Sequence, residues 1–303
     1  MVNNFFNSIR NRYLEIKIYP NYGYFYIFCI KLVGYIKFFV EIIFPLKKSL
    51  ISLDVIITVA PKDIDKLENC LIGIKKNILH KISNIFIVAK KSLRLEEIEK
   101  KFSCIHVEED CLLNKTSLGI KYIYEDIDRS GWLFQQLLNY QAVMSLGSEK
   151  FKLAIDSDTV FCRKQKFEKN NRIIFSAANS YHLPYFDAAK NLLDLKKVTN
   201  ISFTSHHIIY NKEYLSEMLD YLQKKYDKVW YRAIIENIDY NTLSNHSEFE
   251  TYAQFVMNKY KNTTTVEYWF NKTVFKEDHK KISNIFECFF YKTLSFHSWA
   301  VDD

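Results

Sequence analysis

From Leu53 onward the apolar positions switch repeatedly between strand-like runs and helical spacing, and this alternation predicts an α/β protein. Leu53 to Ala60 (LDVIITVA) is a β-rich apolar run of buried-strand length. Pro61 and Asp63 then open a helix whose Leu67, Cys70, Leu71, Ile74 and Ile78 recur at helical spacing. Ile85 to Ala89 and Cys104 to Val107 read as strands. Trp132 to Leu146 reads as a helix with Leu133, Leu137, Leu138, Ala142 and Leu146 on one side. The next strand is the short apolar run Leu153 to Ile155. Repeated strand–helix–strand order implies a mostly parallel sheet of Rossmann type, with helices on both faces.

Beyond Arg163 the pattern is less regular. Arg172 to Ala178, Ser202 to Tyr210 and Thr263 to Phe270 read as strands. Glu213 to Tyr226 reads as a helix carrying Leu215, Met218, Leu219 and Leu222, and a further helix begins near Ser247. There is no Pro/Gly-rich linker, internal repeat or low-complexity tract. The simplest organisation is an N-terminal helical extension (1–50) followed by one domain (51–303), whose halves are 51–163 and 164–303.

The extension has its own pattern. Tyr22 to Phe44 is apolar and aromatic, interrupted by Lys31, Lys37 and Glu41. No small-residue cleavage site follows it, so a signal peptide does not fit. Three ionisable residues, each costing roughly 2.5–3.5 kcal/mol near a bilayer centre, argue against a membrane span. On a helix Gly34, Lys37 and Glu41 share one side and leave a wide apolar face. Arg10, Arg12 and Lys17 precede the run, and Lys47 and Lys48 follow it. An amphipathic helix lying in a membrane interface accounts for this. A helix packed on the protein's own core accounts for it equally well.

Composition narrows the choices only slightly. The 303 residues are 48% hydrophobic and 25% charged, ordinary for a folded protein, and 16% aromatic, which is high. The richness in Ile, Lys and Asn has the look of an AT-rich genome, so single Lys or Asn residues carry little weight. A net charge of +7 suits an anionic partner such as a nucleotide, an acidic sugar or a membrane surface. No basic block is dense enough for nucleic acid, and no Cys or His spacing suggests zinc. The six cysteines are scattered, several within apolar patterns, and read as buried free thiols of a reducing cytoplasm.

The most informative segment is Ala154-Ile155-Asp156-Ser157-Asp158-Thr159-Val160-Phe161. It places two carboxylates one residue apart where a strand leaves the sheet. They repel unless something positive lies between them. Mg²⁺ and Mn²⁺ prefer such oxygen ligands, usually shared with substrate phosphates. Open α/β sheets also bind ligands beyond their strand ends. A metal-bridged diphosphate is the leading reading, and a plain turn signal is the alternative.

Taken with Gly131-Trp132-Leu133-Phe134-Gln135-Gln136 upstream, this segment resembles the GT-A fold of nucleotide-sugar glycosyltransferases. The closer likeness is to a bacterial branch associated with surface polysaccharide such as capsule or lipopolysaccharide. It extends over roughly Leu53 to Trp299 in element order but is specific only in these two motifs. It implies that Asp158 is the more direct ligand of Mn²⁺ or Mg²⁺, with Asp156 nearer the ribose or donor sugar. Thr58 and Ala60 would hold the nucleotide, and Lys62 would meet a phosphate. Gln135 and Gln136 stand about 100° apart on a helix, so one would bond donor hydroxyls and the other brace the loop. Phe296-His297-Ser298-Trp299 resembles the late segment that supplies a histidine, here His297, as a further metal ligand.

An inverting transfer needs a carboxylate base, and Ser247-Glu248-Phe249-Glu250 is the best source. Ser247 and Glu250 have capping-box spacing, which would leave Glu248 as the freer base, with His246 beside it. Adjacent His206 and His207 on a strand would point to opposite faces, so at most one enters an acceptor pocket.

The expected partners are a nucleotide-sugar donor, a glycan or lipid-linked acceptor and, through residues 22–44, a membrane surface. The location implied is cytoplasmic, peripheral to the inner face of the cytoplasmic membrane. A transferase of CMP-linked acidic sugars on the same fold, and a non-catalytic glycan-binding protein, remain alternatives. A nucleotidyltransferase fits less well, because no Gly-rich phosphate loop follows the first strand.

Overall fold

A computed structural model describes residues 21–178, 181–196, 199, 201–274 and 291–296, with backbone alone at 21–24. Cys288, His297 and Trp299 lie outside the described residues.

Helix α1 (Asn21–Ile43) comes first. Strand β1 (Ser52–Thr58), a single turn at Pro61–Asp63, α2 (Ile64–Asn77) and β2 (Lys81–Ala89) follow. Then come α3 (Leu93–Phe102), β3 (Ile105–Glu108), α4 (Ser130–Ser145), β4 (Phe151–Ile155) and β5 (Thr159–Phe161). The second half adds β6 (Arg172–Ala177), α5 (Leu183–Leu193), β7 (His207–Asn211) and α6 (Lys212–Tyr226). It continues with α7 (Trp230–Asn237), α8 (Glu248–Lys259), β8 (Thr264–Tyr268), β9 (Asn271–Thr273) and β10 (Thr293–Ser295).

The central sheet has the order β7-β4-β1-β2-β3. All its pairs are parallel except β7, which runs antiparallel to β4. β1 and β4 are almost wholly buried, which is why they read as continuous apolar runs. The mixed α/β architecture expected from the sequence is the one observed, with a parallel-dominated sheet between helices. One apolar core runs from Ile27 of α1 through Leu53 and Leu215 to Phe270, across both halves of the chain.

Within this core sits an ion pair. Asp54 and Lys152 are cross-strand neighbours on β1 and β4, both 0% exposed, and their side chains bond each other. Asn84 Nδ2 donates to the same carboxylate at 2.8 Å, and the Glu149 backbone N–H at 3.2 Å. Gly147 turns beneath it at φ 64°, where an added Cβ would lie 2.1 Å from Asp54 Oδ2. Several donors thus converge on this buried carboxylate, as a dry ion pair requires.

Two expectations need correction. The strand expected from Ser202 begins only at His207, because His206 adopts φ 63°, which breaks extended backbone. The cysteines are not uniformly buried: of the five within the described residues only Cys70 is buried, and Cys111 is exposed.

Helix α1 packs on the core, and it does so through its polar side. Gly34 lets the helix lie on Phe270, since a Cβ there would come within 2.8 Å of the ring. Lys37 bonds Glu267 and lies 3.5 Å from Glu41, while Arg163 Nη2 reaches Glu41 Oε2 at 3.3 Å. Lys292 approaches Glu267 at 3.6 Å. Burial pulls the Lys292 ammonium down to about 8, although Glu267 supports its charge. Ile27 and Phe38 are buried with this polar side, but most large apolar residues of α1 are left facing outward, Phe25, Ile36, Phe39 and Ile43 among them.

Candidate functional site

The parallel strands β1, β2, β3 and β4 all end at one edge of the sheet, and antiparallel β7 begins there, with His207 opposite Ile155. The ladder runs one residue further, for the Asp156 N–H donates to the His206 carbonyl at 2.9 Å. The chain then turns sharply, with Thr159 N–H bonded to the Asp156 carbonyl at 3.0 Å. The Asp158 carbonyl is tied at 2.9 Å by Phe296 N–H, next to β10. The Asp-Ser-Asp segment is therefore a turn, and a turn whose backbone is held from two sides. A turn and a ligand site are compatible here, because the backbone bonds leave the carboxylates' oxygens to other partners.

Asp156 takes one such partner from His206, whose Nδ1 lies 3.1 Å from Asp156 Oδ2. Both side chains are partly exposed, at 33% and 25%. Burial works against the His206 imidazolium, but the Asp156 bond and the charges of Asp156 and Asp158 outweigh it, so its pKa is raised. His207, the first residue of β7, goes the other way. It sits in the core beside Trp269 and Phe161, with Ser176 and the Ser205 carbonyl on its two nitrogens. Burial drives its pKa down to about 3, so it stays neutral. The structure brings His206 to the carboxylates and leaves His207 away from them.

Glu248 opens α8 and is 2% exposed. Asn139 Nδ2 of α4 donates to its Oε1 at 2.7 Å, and Gln136 Oε1 accepts its backbone N–H at 3.3 Å. Tyr140 donates to its carbonyl at 2.8 Å. Burial raises the Glu248 carboxyl to about 8; Asn139 opposes this and the Asp156 charge adds to it. Glu248 and Asp156 thus sense each other.

Glu250 does not share that setting. Ser247 Oγ caps its N–H at 3.3 Å, but its carboxylate does not return the bond to complete a capping box. It accepts instead from Phe203 N–H at 2.8 Å, Gln254 at 2.7 Å and Ser202 at 3.2 Å. These bonds brace the loop leading to His206. Burial, partly offset by these donors, raises its pKa to about 7. His246 is fully buried, its pKa lowered to about 3 by burial, and its Nε2 has no partner among the described residues.

On the donor side Thr58, the last residue of β1, is buried and accepts from Gln135 Nε2 at 3.1 Å. Gln135 and Gln136 accordingly reach in different directions, one to the end of β1 and one to the start of α8. Ala60 precedes the turn at Pro61–Asp63, on which Lys62 is exposed. Trp132 is half-buried and stacks on Tyr185 at 6.2 Å, with the Arg129 guanidinium 4.8 Å from its ring.

Two residues at this edge were not anticipated. Lys66, 3% exposed, donates to Asp63 at 2.7 Å and to the Phe296 carbonyl at 2.6 Å. It thereby ties the loop after β1 to the residue that holds Asp158. Asn139 is the other. Both are polar residues on an otherwise apolar helix side, Lys66 beside Leu67 and Cys70, Asn139 beside Leu138 and Ala142. That placement was the available signal.

No three His, Cys, Asp or Glu side chains among the described residues are grouped to hold a metal by themselves. Two neighbouring carboxylates still fit Mg²⁺ or Mn²⁺, which often takes one or two from the protein and the remainder from phosphate and water. His297 lies outside the described residues.

A family model described as a family of unknown function (DUF6492) matches residues 53–302. The chain belongs to the DUF6492 family. The matched segment begins with β1 and contains the Asp156–Asp158 turn, the Gln135–Gln136 helix and Glu248, while α1 precedes it. No curated protein matches this DUF6492 chain. Among solved structures it is similar to mouse xyloside xylosyltransferase 1 in its apo form, at 12% identity and a TM-score of 0.45, covering 84% of this chain and 99% of that one. It is also similar to the galactosyltransferase LgtC in complex with donor and acceptor sugar analogues, at 9% identity and a TM-score of 0.43, covering 82% of this chain and 88% of that one. At that degree of likeness, what the DUF6492 site can do rests on its own residues.

Proposed function

We propose that this protein is a glycosyltransferase that moves a sugar from a nucleotide-sugar donor to a glycan or lipid-linked acceptor, with Mn²⁺ or Mg²⁺ as cofactor. One observation carries the reading. A pair of carboxylates leaves a central strand at the ligand-binding edge of a parallel-dominated sheet, and a buried carboxyl raised to about 8 senses the charge of one of them, Asp156.

Residues 51–163 would hold the donor and 164–303 the acceptor. Asp158, with Asp156, would hold the cation, which on binding offsets the negative charge that develops on the departing nucleoside diphosphate. Thr58 and the backbone to Ala60 line the nucleotide side, with Lys62 exposed nearby for a phosphate. Gln135 fixes the end of β1 through Thr58, and Lys66 keeps the donor loop against the Asp158 turn. His206 orients the Asp156 carboxylate.

Glu248 is the base of an inverting transfer. As the bond from C1 to the phosphate oxygen breaks, the leaving oxygen keeps the electron pair. The acceptor hydroxyl oxygen bonds C1, and Glu248 takes its proton. Only the ionised form can do this, and a pKa displaced toward the working pH makes the carboxylate a stronger base than an ordinary one. Glu250 has its carboxylate spent on the 202–203 loop and acts as a brace. The setting we infer is assembly of a bacterial surface polysaccharide, supported by the resemblance in Gly131–Gln136 and Asp156–Phe161.

The test is release of nucleotide from UDP-, GDP-, dTDP- and CMP-sugars, with and without Mn²⁺. Metal-dependent release of a nucleoside diphosphate from one donor class is expected. Release of CMP alone, without metal, would replace the reading with that of a CMP-sugar transferase.

A further inference from the structure

Where α1 ends, a cleft of about 680 Å³ opens at the edge of the sheet opposite to Asp156, beside the start of β2 at Lys81. Five lysines line it, Lys48, Lys75, Lys76, Lys81 and Lys164, and among the described residues no carboxylate does. Two of them are partly engaged: Lys75 Nζ donates to the Phe102 carbonyl, and Lys164 to that of Lys76. Lys48, Lys76 and Lys81 are exposed. Two carboxylates lie nearby, Glu168 bonded by Ser49 and Glu149 by Ser83, and neither lines the cleft. His80 adds no charge, since Ile51 and Phe167 use both its nitrogens and burial lowers its pKa. Five ammonium groups around one cleft outnumber these two carboxylates at its margin, which favours an anion in the cleft.

The cleft is tied to α1 through its neighbours. Lys48 lies on the segment that follows the helix after its end at Ile43, and Lys164 follows Arg163, whose guanidinium rests on Phe38 at 4.2 Å and reaches Glu41. The helix spends Lys37 and Glu41 on contacts with the domain and shows an outward stripe of Phe25, Phe28, Leu32, Ile36, Phe39 and Ile43, each more than half exposed. That is the reverse of a surface helix in water, whose polar side faces out. Among the described residues no helix is long and apolar enough to cross a membrane, and α1 is held sideways on the domain from Ile27 to Glu41.

We infer that the outer stripe of α1 and the lysine cleft form one surface that seats on an anionic bilayer, with lipid phosphate groups in the cleft and the stripe among the acyl chains. The apolar stripe alone would suit several occupants; the adjoining cation cluster selects an anionic lipid surface. This inference is independent of the reaction proposed above, and the cleft and the nucleotide edge lie at opposite ends of the strands.

The test is co-sedimentation of the full chain with vesicles of phosphatidylcholine alone or mixed with phosphatidylglycerol. Binding to the mixed vesicles, weakened by salt and indifferent to added inorganic phosphate, is expected. Lys48→Gln with Lys81→Gln should weaken it about thirtyfold, at about 1 kcal/mol for each lysine. Phe28→Ser with Ile36→Ser should abolish it, and both variants should bind nucleotide as the wild type does. Equal binding to neutral vesicles, or no effect of the lysine changes, would overturn the role of the cleft. Absence of vesicle binding, with self-association that the Phe28 and Ile36 changes dissolve, would show that a second copy covers the helix instead.

Discussion

Asp158→Ala is expected to lower sugar transfer by about a thousandfold, the ~4 kcal/mol that electrostatic stabilisation of a leaving group supplies. The effect should come from kcat and from metal-dependent donor binding together, because a cation held by Asp158 would favour the diphosphate's charge in both states. Folding should survive. Asp158 contributes its carbonyl to Phe296 N–H, and alanine keeps that bond. Asp156→Ala is less clean, since it also strands His206, whose raised pKa depends on Asp156. An Asp158→Ala protein with wild-type melting and wild-type turnover would remove the carboxylate pair from the chemistry and leave it as a turn.

Glu248→Gln is expected to cost about 10²–10⁴-fold in kcat with little change in nucleotide affinity, the usual loss when a positioned base is removed. The amide is nearly isosteric, and its oxygen can still accept from Asn139. In the wild type, activity should rise with pH along a limb at or below about 8, because the ionised carboxylate is the active form and a bound cation would lower its pKa.

The same group has a stability signature of opposite direction. Its folded pKa lies above its unfolded value, so the folded state binds more protons between the ordinary carboxylate range and about 8. The stability it contributes is present at low pH and is lost as pH rises through about 8. Glu250, raised to about 7, adds a similar loss somewhat lower on the scale. Urea unfolding at about pH 6 and about pH 9 should therefore show a smaller decline in Glu248→Gln than in the wild type. Parallel declines in the two proteins, together with unchanged kcat, would contradict the assignment of Glu248 as the base.

Sequence pattern is most informative where one physical signal dominates. The buried strands β1 and β4 announce themselves because a central parallel strand has no polar face. The start of α8 was legible from Ser247, whose hydroxyl does cap the helix. Helices α3, α5 and α7 were missed, and their ends show why. Of these, α3 ends at Ser103 and α5 at Asp194, both in left-handed backbone, where a glycine would have signalled the stop. A chain with only 6 glycines hides its helix ends in this way. His206, also left-handed, hides the start of β7 in the same way.

The site shows a similar division. The spacing of Asp156 and Asp158 marks an edge of the sheet; His206 and His207 do part as expected, but His206 does so from left-handed backbone outside the strand. What spacing cannot reveal is which carboxylate of Glu248 and Glu250 is already spent, because that depends on Phe203 and Gln254, far apart in the chain. Lys66 and Asn139 illustrate the converse. Each is one polar residue in an apolar helix side, unremarkable until the fold brings a carbonyl or carboxylate to meet it. The orientation of α1 was open for the same reason, since its polar side had either water or the domain's own Glu267 and Arg163 to face.

The most direct test is calorimetric titration of UDP, GDP, dTDP and CMP into the wild-type protein and Asp158→Ala, each with and without Mn²⁺. Binding of one nucleoside diphosphate that requires Mn²⁺ and vanishes in Asp158→Ala is the expected result, and the base would name the donor class. Metal-independent binding unaltered by the substitution, or no nucleotide binding by folded protein, would contradict the claim that these carboxylates hold a metal-bridged donor.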